Sequence, residues 1–422
     1  MTSHAPAAGG RTPPQGHDAY QALRYGEYRW YLVGITAVFL GTQMQTLVMG
    51  WQVYELTHDA LSLGLIGLSE AVPFLALTLL GGHAADRRDR RAISLAAAAV
   101  LFAGAAVLVG INLGGGLRSA WPLYAIQGLA GVGRAFYRPA SQALATELVP
   151  RAVYQNAATW RSSAGQTAMV GGPALGGLLY SLGSARLAYG TEAVMMALGL
   201  LALLRVRARP RSGGSTGPVL RSLAEGLRFV FSQRLILSAL SLDLFAVLFG
   251  GAVALLPAFA SDVLGVGPRA LGLMRAMPAV GAVLMSLALA HRPSSRRAGV
   301  ALLWCVAGFG LSWIAFGLSR SFALSLLFLA VGGALDNVSV VLRSTLVQTY
   351  TPLEMMGRVQ AVNSFFIGSS NELGAFESGL AARLLGLIPS VLFGGAMTLV
   401  VVGATAWKVP ELRRLRRIGD EA

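Results

Sequence analysis

Hydrophobic residues in this chain fall into repeated runs of roughly 20, each long enough to cross a hydrocarbon core of about 30 Å, from Trp30 to Trp407. Six runs are read at 30–54, 61–84, 92–113, 121–146, 156–180 and 187–205. A stretch rich in Arg, Pro, Gly and Ser then interrupts the pattern from Val206 to Pro218, as a linker between two bundles does. Leu220 to Ser232 follows as a short amphipathic helix, with Leu223, Leu227, Val230 and Phe231 set against Arg221, Glu225 and Arg228. Six further runs lie at 235–259, 270–290, 298–318, 322–347, 359–384 and 388–407. The expectation is an all-α membrane protein of twelve transmembrane helices in two pseudo-symmetric six-helix bundles. Its parts are a cytoplasmic tail over 1–29, a first bundle over 30–205, a linker with its amphipathic helix over 206–234, a second bundle over 235–407 and a basic tail over 408–422.

Composition agrees with a bilayer environment: 55% of the 422 residues are hydrophobic and 13% charged, far more apolar than a soluble domain. A net charge of +15 suggests nucleic acid in a soluble chain, but here the basic residues sort by topology. With the N-terminus placed inside, about 24 of the 34 Lys and Arg fall in inner segments, about 5 in outer turns and about 5 within spans. That asymmetry predicts a multi-pass membrane protein with both termini cytoplasmic, in contact with anionic lipid and with no nucleic-acid partner. Met1 to Tyr20 is polar, lacks the charged start and apolar stretch of a cleavable signal peptide, and is expected to be a disordered cytoplasmic tail. Cys305 is the single cysteine, so no intramolecular disulfide or thiolate cluster is available.

An internal repeat ties the halves together. Leu144 to Asn156, with Pro150 after a span, aligns with Leu346 to Arg358 and Pro352, an offset of 202 residues. The same offset places Ser162 on Ser364, Gly172 on Gly374 and Gly177 on Gly379. Such duplications belong to transporters that alternate access to a site between two halves.

Between the second and third runs lies Gly81-Gly82-His83-Ala84-Ala85-Asp86-Arg87-Arg88-Asp89-Arg90-Arg91. Small residues there allow close helix approach, and a carboxylate beside basic residues suits a neighbouring helix N-terminus. In the fifth run, Gly171-Gly172-Pro173-Ala174-Leu175-Gly176-Gly177 gives a smooth packing face, and Pro173 permits a bend. The first motif resembles the loop signature of the major facilitator superfamily, and the second resembles the motif of its exporters. Gly41 to Gln45, Gly50 to Thr57, Arg134 to Ala140, Glu147 to Pro150 and Asn371 to Gly379 are similar to the enterobactin-exporter-like and macrolide-efflux-like branch, the transmembrane secretion effectors. The resemblance implies a monomer whose first, fourth, seventh and tenth helices line a central cavity. It also implies a gating loop of Gly82, Asp86, Arg87, Arg90 and Arg91, with Asp86 latching onto the start of the eleventh span, and a helix-bend motif of Gly172, Pro173, Gly176 and Gly177.

Ionisable residues inside spans are costly and therefore functional candidates. They are Glu70, Arg134, Arg138, Arg161, Asp243, Arg275, Asp336, Arg343, Glu372 and Glu377. Arg134 and Arg138 share a helix face, and Asp336 is the repeat counterpart of Arg134. The expectation is that Arg134 and Asp336 face each other across the pathway and exchange partners between states. Proton coupling then uses Asp336, with Asp243, Glu70 and Glu372 as the other candidate carboxylates and Arg138 and Arg343 as further cavity charges. A static ion pair that fixes helix register is the plainer reading. Gln45, Gln52, Gln127, Gln166, Asn363 and Asn371, with Trp51, Tyr54, Phe136, Tyr137 and Trp160, are candidate solute contacts or simple helix-to-helix bonds.

No HExxH zinc site or Walker loop is present, the sole lysine being Lys408, so no metal or other cofactor is expected and an enzyme is disfavoured. A channel filter is equally lacking. The reading is export of a small amphipathic or anionic solute, siderophore-like or drug-like, by antiport with a proton or sodium ion. Import of a small polar metabolite by proton symport is the alternative.

Overall fold

A computed structural model describes residues 18–207, 219–291 and 297–415. Most of the tail, the linker 208–218, Arg292, Arg296, Arg416 and Arg417 lie outside the described residues, as do the side chains of 219–223. Among the described residues the chain is helical throughout and has no strand.

The helices are α1 (Gly26–Thr57), α2 (Ala60–Arg87), α3 (Arg90–Leu113), α4 (Trp121–Glu147) and α5 (Tyr154–Leu204). After the linker come α6 (Val219–Ser232), α7 (Arg234–Gly250), α8 (Pro268–Ala290), α9 (Ala298–Leu318), α10 (Phe322–Tyr350), α11 (Met356–Leu385), α12 (Leu387–Lys408) and the short α13 (Pro410–Arg414). α5 loses helical dihedrals at Gly183 and Ser184, which divides it into limbs α5a (154–182) and α5b (185–204). Side-chain caps fix two starts: Asp59 accepts from the Leu61 amide at 3.2 Å, and Asp89 from the Arg91 amide at 2.8 Å. Gly386, with φ of 96°, makes the tight corner between α11 and α12 that a residue with a Cβ enters only under strain.

Nine segments among the described residues are long and apolar enough to cross a membrane, with α5 counted once. α4 and α11 are absent from that group because Gln127, Arg134 and Arg138 in one, and Asn371, Glu372 and Glu377 in the other, dilute their hydropathy. Taking the two limbs of α5 separately and adding α4 and α11 gives the twelve spans of the major facilitator fold. α6 lays Val230 against the second half as expected from its amphipathic pattern, while Phe231 stays exposed.

Within each half, helices approach through glycines at repeat-related positions. A Cβ on Gly131 of α4 would sit 2.5 Å from the Glu70 carbonyl oxygen and 3.0 Å from Pro73 of α2. A Cβ on Gly333 of α10, at the offset of 202, would likewise run into the Pro278 carbonyl of α8. The repeat thus reaches into packing: backbone lies against backbone where a side chain would separate the helices.

Between the halves, the extensive contacts are α2 with α11 and α5 with α8. Gly64 meets Gly379 backbone to backbone, and a Cβ on Gly177 would lie 2.3 Å from the Pro268 carbonyl oxygen and 3.0 Å from Gly272. The same end is tied by a hydrogen bond from Tyr54 to Asp262 and by Arg383 3.7 Å from Asp59. At the other end, where α2 finishes and α11 begins, Gly82 and Gly357 have no atom within 4 Å of an added Cβ, and Asp86 is exposed. The molecule is therefore closed at one end and open at the other. Gly177→Leu is expected to prevent this closure, since the obstacle is backbone that cannot step aside. Disulfide cross-linking between cysteines placed at the closed end should slow at least about tenfold, the response to a shift of about 1.4 kcal/mol in the two-state balance.

Candidate transport cavity

The close α2–α4 and α8–α10 contacts leave a cavity of about 530 Å³ between the halves. Six charged side chains line it: Glu70 from α2, Arg134 and Arg138 from α4, Arg275 from α8, Asp336 from α10 and Glu372 from α11. One wall is aromatic, made by Phe309, Trp313, Phe316 and Phe328.

Arg134 is paired with Glu70. Gln127 donates to the other Glu70 oxygen at 2.5 Å, and Thr46 accepts from Arg134 at 3.5 Å. The expected pairing of Arg134 with Asp336 is not made in this conformation. Gly131 holds α4 against the backbone of Glu70, which puts that carboxylate beside Arg134, whereas Asp336 lies on the other half. In the second half Arg343 is paired with Asp243, and both are buried. Among the described residues, each half therefore carries an ion pair within its bundle, a partly buried one between α2 and α4 and a buried one between α7 and α10.

The remaining cavity charges make no ion pair among the described residues. Arg138 projects into the space with its guanidinium 5.5 Å from the centre of the Phe74 ring, a cation–π contact. Arg275 and Glu372 act on each other electrostatically but form no ion pair or hydrogen bond among the described residues. Asp336 has neither ion pair nor hydrogen bond among them. It borders both the main cavity and a void of about 10 Å³ shared with Asp243, Phe309 and Ser339, close to the space one water needs.

These environments separate two aspartates that look alike in sequence. Asp243→Asn removes the countercharge of a buried arginine, a loss of about 3–5 kcal/mol. A lowered thermal unfolding midpoint in detergent is expected for it and not for Asp336→Asn, which strands no partner.

The gating-loop residues lie together at the open end. Arg90 holds Glu147 at 2.7 Å and Arg91 holds the Leu204 carbonyl at 2.9 Å, so both act within the first half. Asp86 and Arg87 are exposed, and among the described residues Asp86 makes no hydrogen bond or ion pair with α11. In the exporter-like motif, Gly172 lies over Gln43 and Gly176 over Met44 of α1, while Gly177 faces α8. φ and ψ stay helical through Pro173, and the break comes ten residues later at Gly183 and Ser184. The motif is a packing face: Gly172 and Gly176 seat α5a on α1, and Pro173 and Gly177 meet α8 of the other half.

Several candidate solute contacts are structural. Gln52 donates to Asn112 at 3.3 Å and accepts from Tyr189 at 2.8 Å, and Tyr137 is fully buried. Sequence reasoning missed the four cavity aromatics, which read as ordinary apolar residues within their spans. It also missed Glu192, although that residue stands alone as an acid inside the sixth run and the same rule that selected Glu70 selects it.

Two pseudo-symmetric six-helix halves, closed at one end around a charged central cavity, define a membrane transporter of the major facilitator type. The sequence profile of the transmembrane secretion effector family matches residues 17–418, and the chain belongs to that family. It is 27% identical over 393 residues to the enterobactin exporter EntS of Shigella boydii serotype 18, covering 90% of this chain and 93% of that protein. Solved structures share the fold. A bacterial homolog of the human lysosomal transporter Spinster aligns with TM-score 0.72 at 16% identity, over 92% of this chain and 97% of the other. A D-xylose-proton symporter aligns with TM-score 0.70 at 14% identity, over 93% and 100%.

Proposed function

We propose that the protein exports a small anionic amphipath from the cell in exchange for protons. The observation that carries this reading is the pair Arg138 and Arg275: two guanidiniums that line the cavity with no carboxylate in ion-pair contact among the described residues, in a cavity that aromatic side chains also line. Planar guanidinium forks suit carboxylate-like or catecholate-like oxygens, and the aromatic wall suits the apolar part of the same solute. The similarity to an exporter of enterobactin supports the outward direction and a siderophore-like substrate.

Under the positive-inside reading, both termini are cytoplasmic in a bacterial inner membrane, and this conformation is open to the cytoplasm. The bundles 30–205 and 235–407 move against each other, each acting as a monomer's half. Asp336 carries the coupling proton. It is open to the cavity and makes no ion pair or hydrogen bond among the described residues, while the void it shares with Asp243 offers a place for one water. In the outward-open state Asp86 meets the start of α11, closing the inner end.

Expression in cells loaded with a labelled anionic amphipath tests this. Intracellular label is expected to fall with expression and to return when a protonophore collapses the gradient. Accumulation that rises with expression contradicts export and supports proton-linked import.

A further inference from the structure

The first half contains a carboxyl that none of the foregoing uses. Glu192, in α5b, is 1% exposed, and neither of its oxygens has a hydrogen-bond partner. A buried ionisable group without any compensating bond is costly, so the fold keeps it there for a partner that is elsewhere in this conformation.

The surroundings leave few candidates for that partner. α5 as a whole packs on α1, α3 and α8, and the α5b limb meets α1 at Gly34 and Gly41 and α3 at Arg91. Between Leu32 and Val53 of α1, and between Ala92 and Leu113 of α3, neither carries an ionisable side chain. Tyr189, one turn earlier on the same helix, is committed to Gln52 at 2.8 Å. The remaining charge is Arg134, which acts on Glu192 electrostatically from α4. Arg134 also has a donor to spare: its terminal nitrogens reach Glu70 and Thr46, but its Nε is buried without an acceptor. Both residues meet the same stretch of α1. Thr46 accepts from Arg134, and a Cβ on Gly41 would stand 3.5 Å from the Glu192 carbonyl oxygen.

We propose that Glu192 is the second seat of the Arg134 guanidinium, taken in the conformation opposite to this one. Here Arg134 sits on the Glu70 carboxylate and Glu192 holds a proton. As the halves swing, the guanidinium moves to Glu192 and the proton moves to Glu70. One O–H bond breaks at Glu192 and one forms at Glu70, so the proton count and net charge of the trio are unchanged. Each arrangement pairs its charges, which gives two discrete states. The acid left in the second state lies on Glu70, which lines the cavity and keeps Gln127 as a neighbour. Glu192 is thus a positioning residue for the conformational change, one step removed from the solute. The inference rests on the two-state motion of the proposed function and is independent of substrate identity.

Spin labels at Gln155 on α5a and Thr349 on α10, both exposed, read the separation of the halves at the open end in a Cys305→Ser background. With the protein in lipid nanodiscs, Glu192→Gln is expected to deplete the short-distance population at least about tenfold, and Glu70→Gln to enrich it by a similar factor. Glu192→Gln gives up no hydrogen bond present in this conformation. Should it still fail to reach the membrane, Glu192→Asp takes its place: it keeps the acid and must still gain short-distance population when Glu70→Gln is added. A wild-type distance distribution in Glu192→Gln, or no response of Glu192→Asp to Glu70→Gln, overturns the exchange. A protein that shows both shifts yet moves no anion overturns the proposed substrate class and leaves the exchange standing.

Discussion

Export of an anionic amphipath is expected to collapse when Arg138 and Arg275 are replaced together by Ala, while export of an uncharged amphipath of the same size survives. Each guanidinium offers a charge-assisted hydrogen bond worth about 1.5–3 kcal/mol. At about 1.4 kcal/mol per decade, the double variant loses roughly 10²- to 10⁴-fold in kcat/KM for the anion. The two side chains come from opposite halves, Arg138 on α4 and Arg275 on α8, so an anion that touches both bridges the moving parts. Lys at either position keeps the charge but loses the planar fork, and an intermediate defect follows. Flux measured for a matched anionic and neutral pair distinguishes this from a general loss of folding: a defect equal for both solutes contradicts anion recognition by these arginines.

Asp336→Asn is expected to abolish gradient-driven flux while leaving solute exchange in place. The carboxyl makes no ion pair or hydrogen bond among the described residues, and an amide of nearly the same shape costs little there. An amide cannot carry a proton across the membrane, so net flux should fall by at least about 100-fold, an activation difference near 2.7 kcal/mol. Counterflow, in which unlabelled solute on one side drives labelled solute from the other, requires the conformational change without net proton movement across the membrane in this scheme. Asp336→Asn should retain it. Loss of both reactions together assigns Asp336 to the binding site itself and moves the coupling role elsewhere.

The architecture was legible because its signals are periodic and redundant. Run lengths placed the helices, and the 202-residue repeat, which carries Gly131 onto Gly333, extends to the backbone contacts between α2 and α4 and between α8 and α10. The identity of the cavity charges was legible for a similar reason: an ionisable group inside an apolar run stands out. Their partners were not. Repeat symmetry relates Arg134 to Asp336, but symmetry-related positions belong to different halves, and contact is decided by whichever helix lies closest. For Arg134 that helix is α2, held by Gly131, and the partner is Glu70. Arg343 and Asp243 meet for the same kind of reason, one from α10 and the other from α7. The aromatic wall of Phe309, Trp313, Phe316 and Phe328 left no trace in the pattern, because a span that faces a cavity and one that faces a core have the same apolar composition.

The state of the molecule was likewise beyond a linear reading. Asp86 and the start of α11 are complementary in charge and helix polarity, yet this conformation leaves them apart and closes the opposite end through Gly64, Gly177, Gly272 and Gly379. A motif gives the contact that is possible. Which of two contacts is made depends on the balance between them.

The central claim, proton-linked movement of an anion through this cavity, is tested most directly in proteoliposomes carrying the purified protein, an anionic amphipath and a pH gradient of either sign. Uptake of the anion is expected into liposomes whose interior is the acidic side, as exchange against outward-moving protons requires, with no stimulation when the gradient is reversed and none in Asp336→Asn. Flux that is indifferent to the gradient, or that runs with the protons, contradicts antiport.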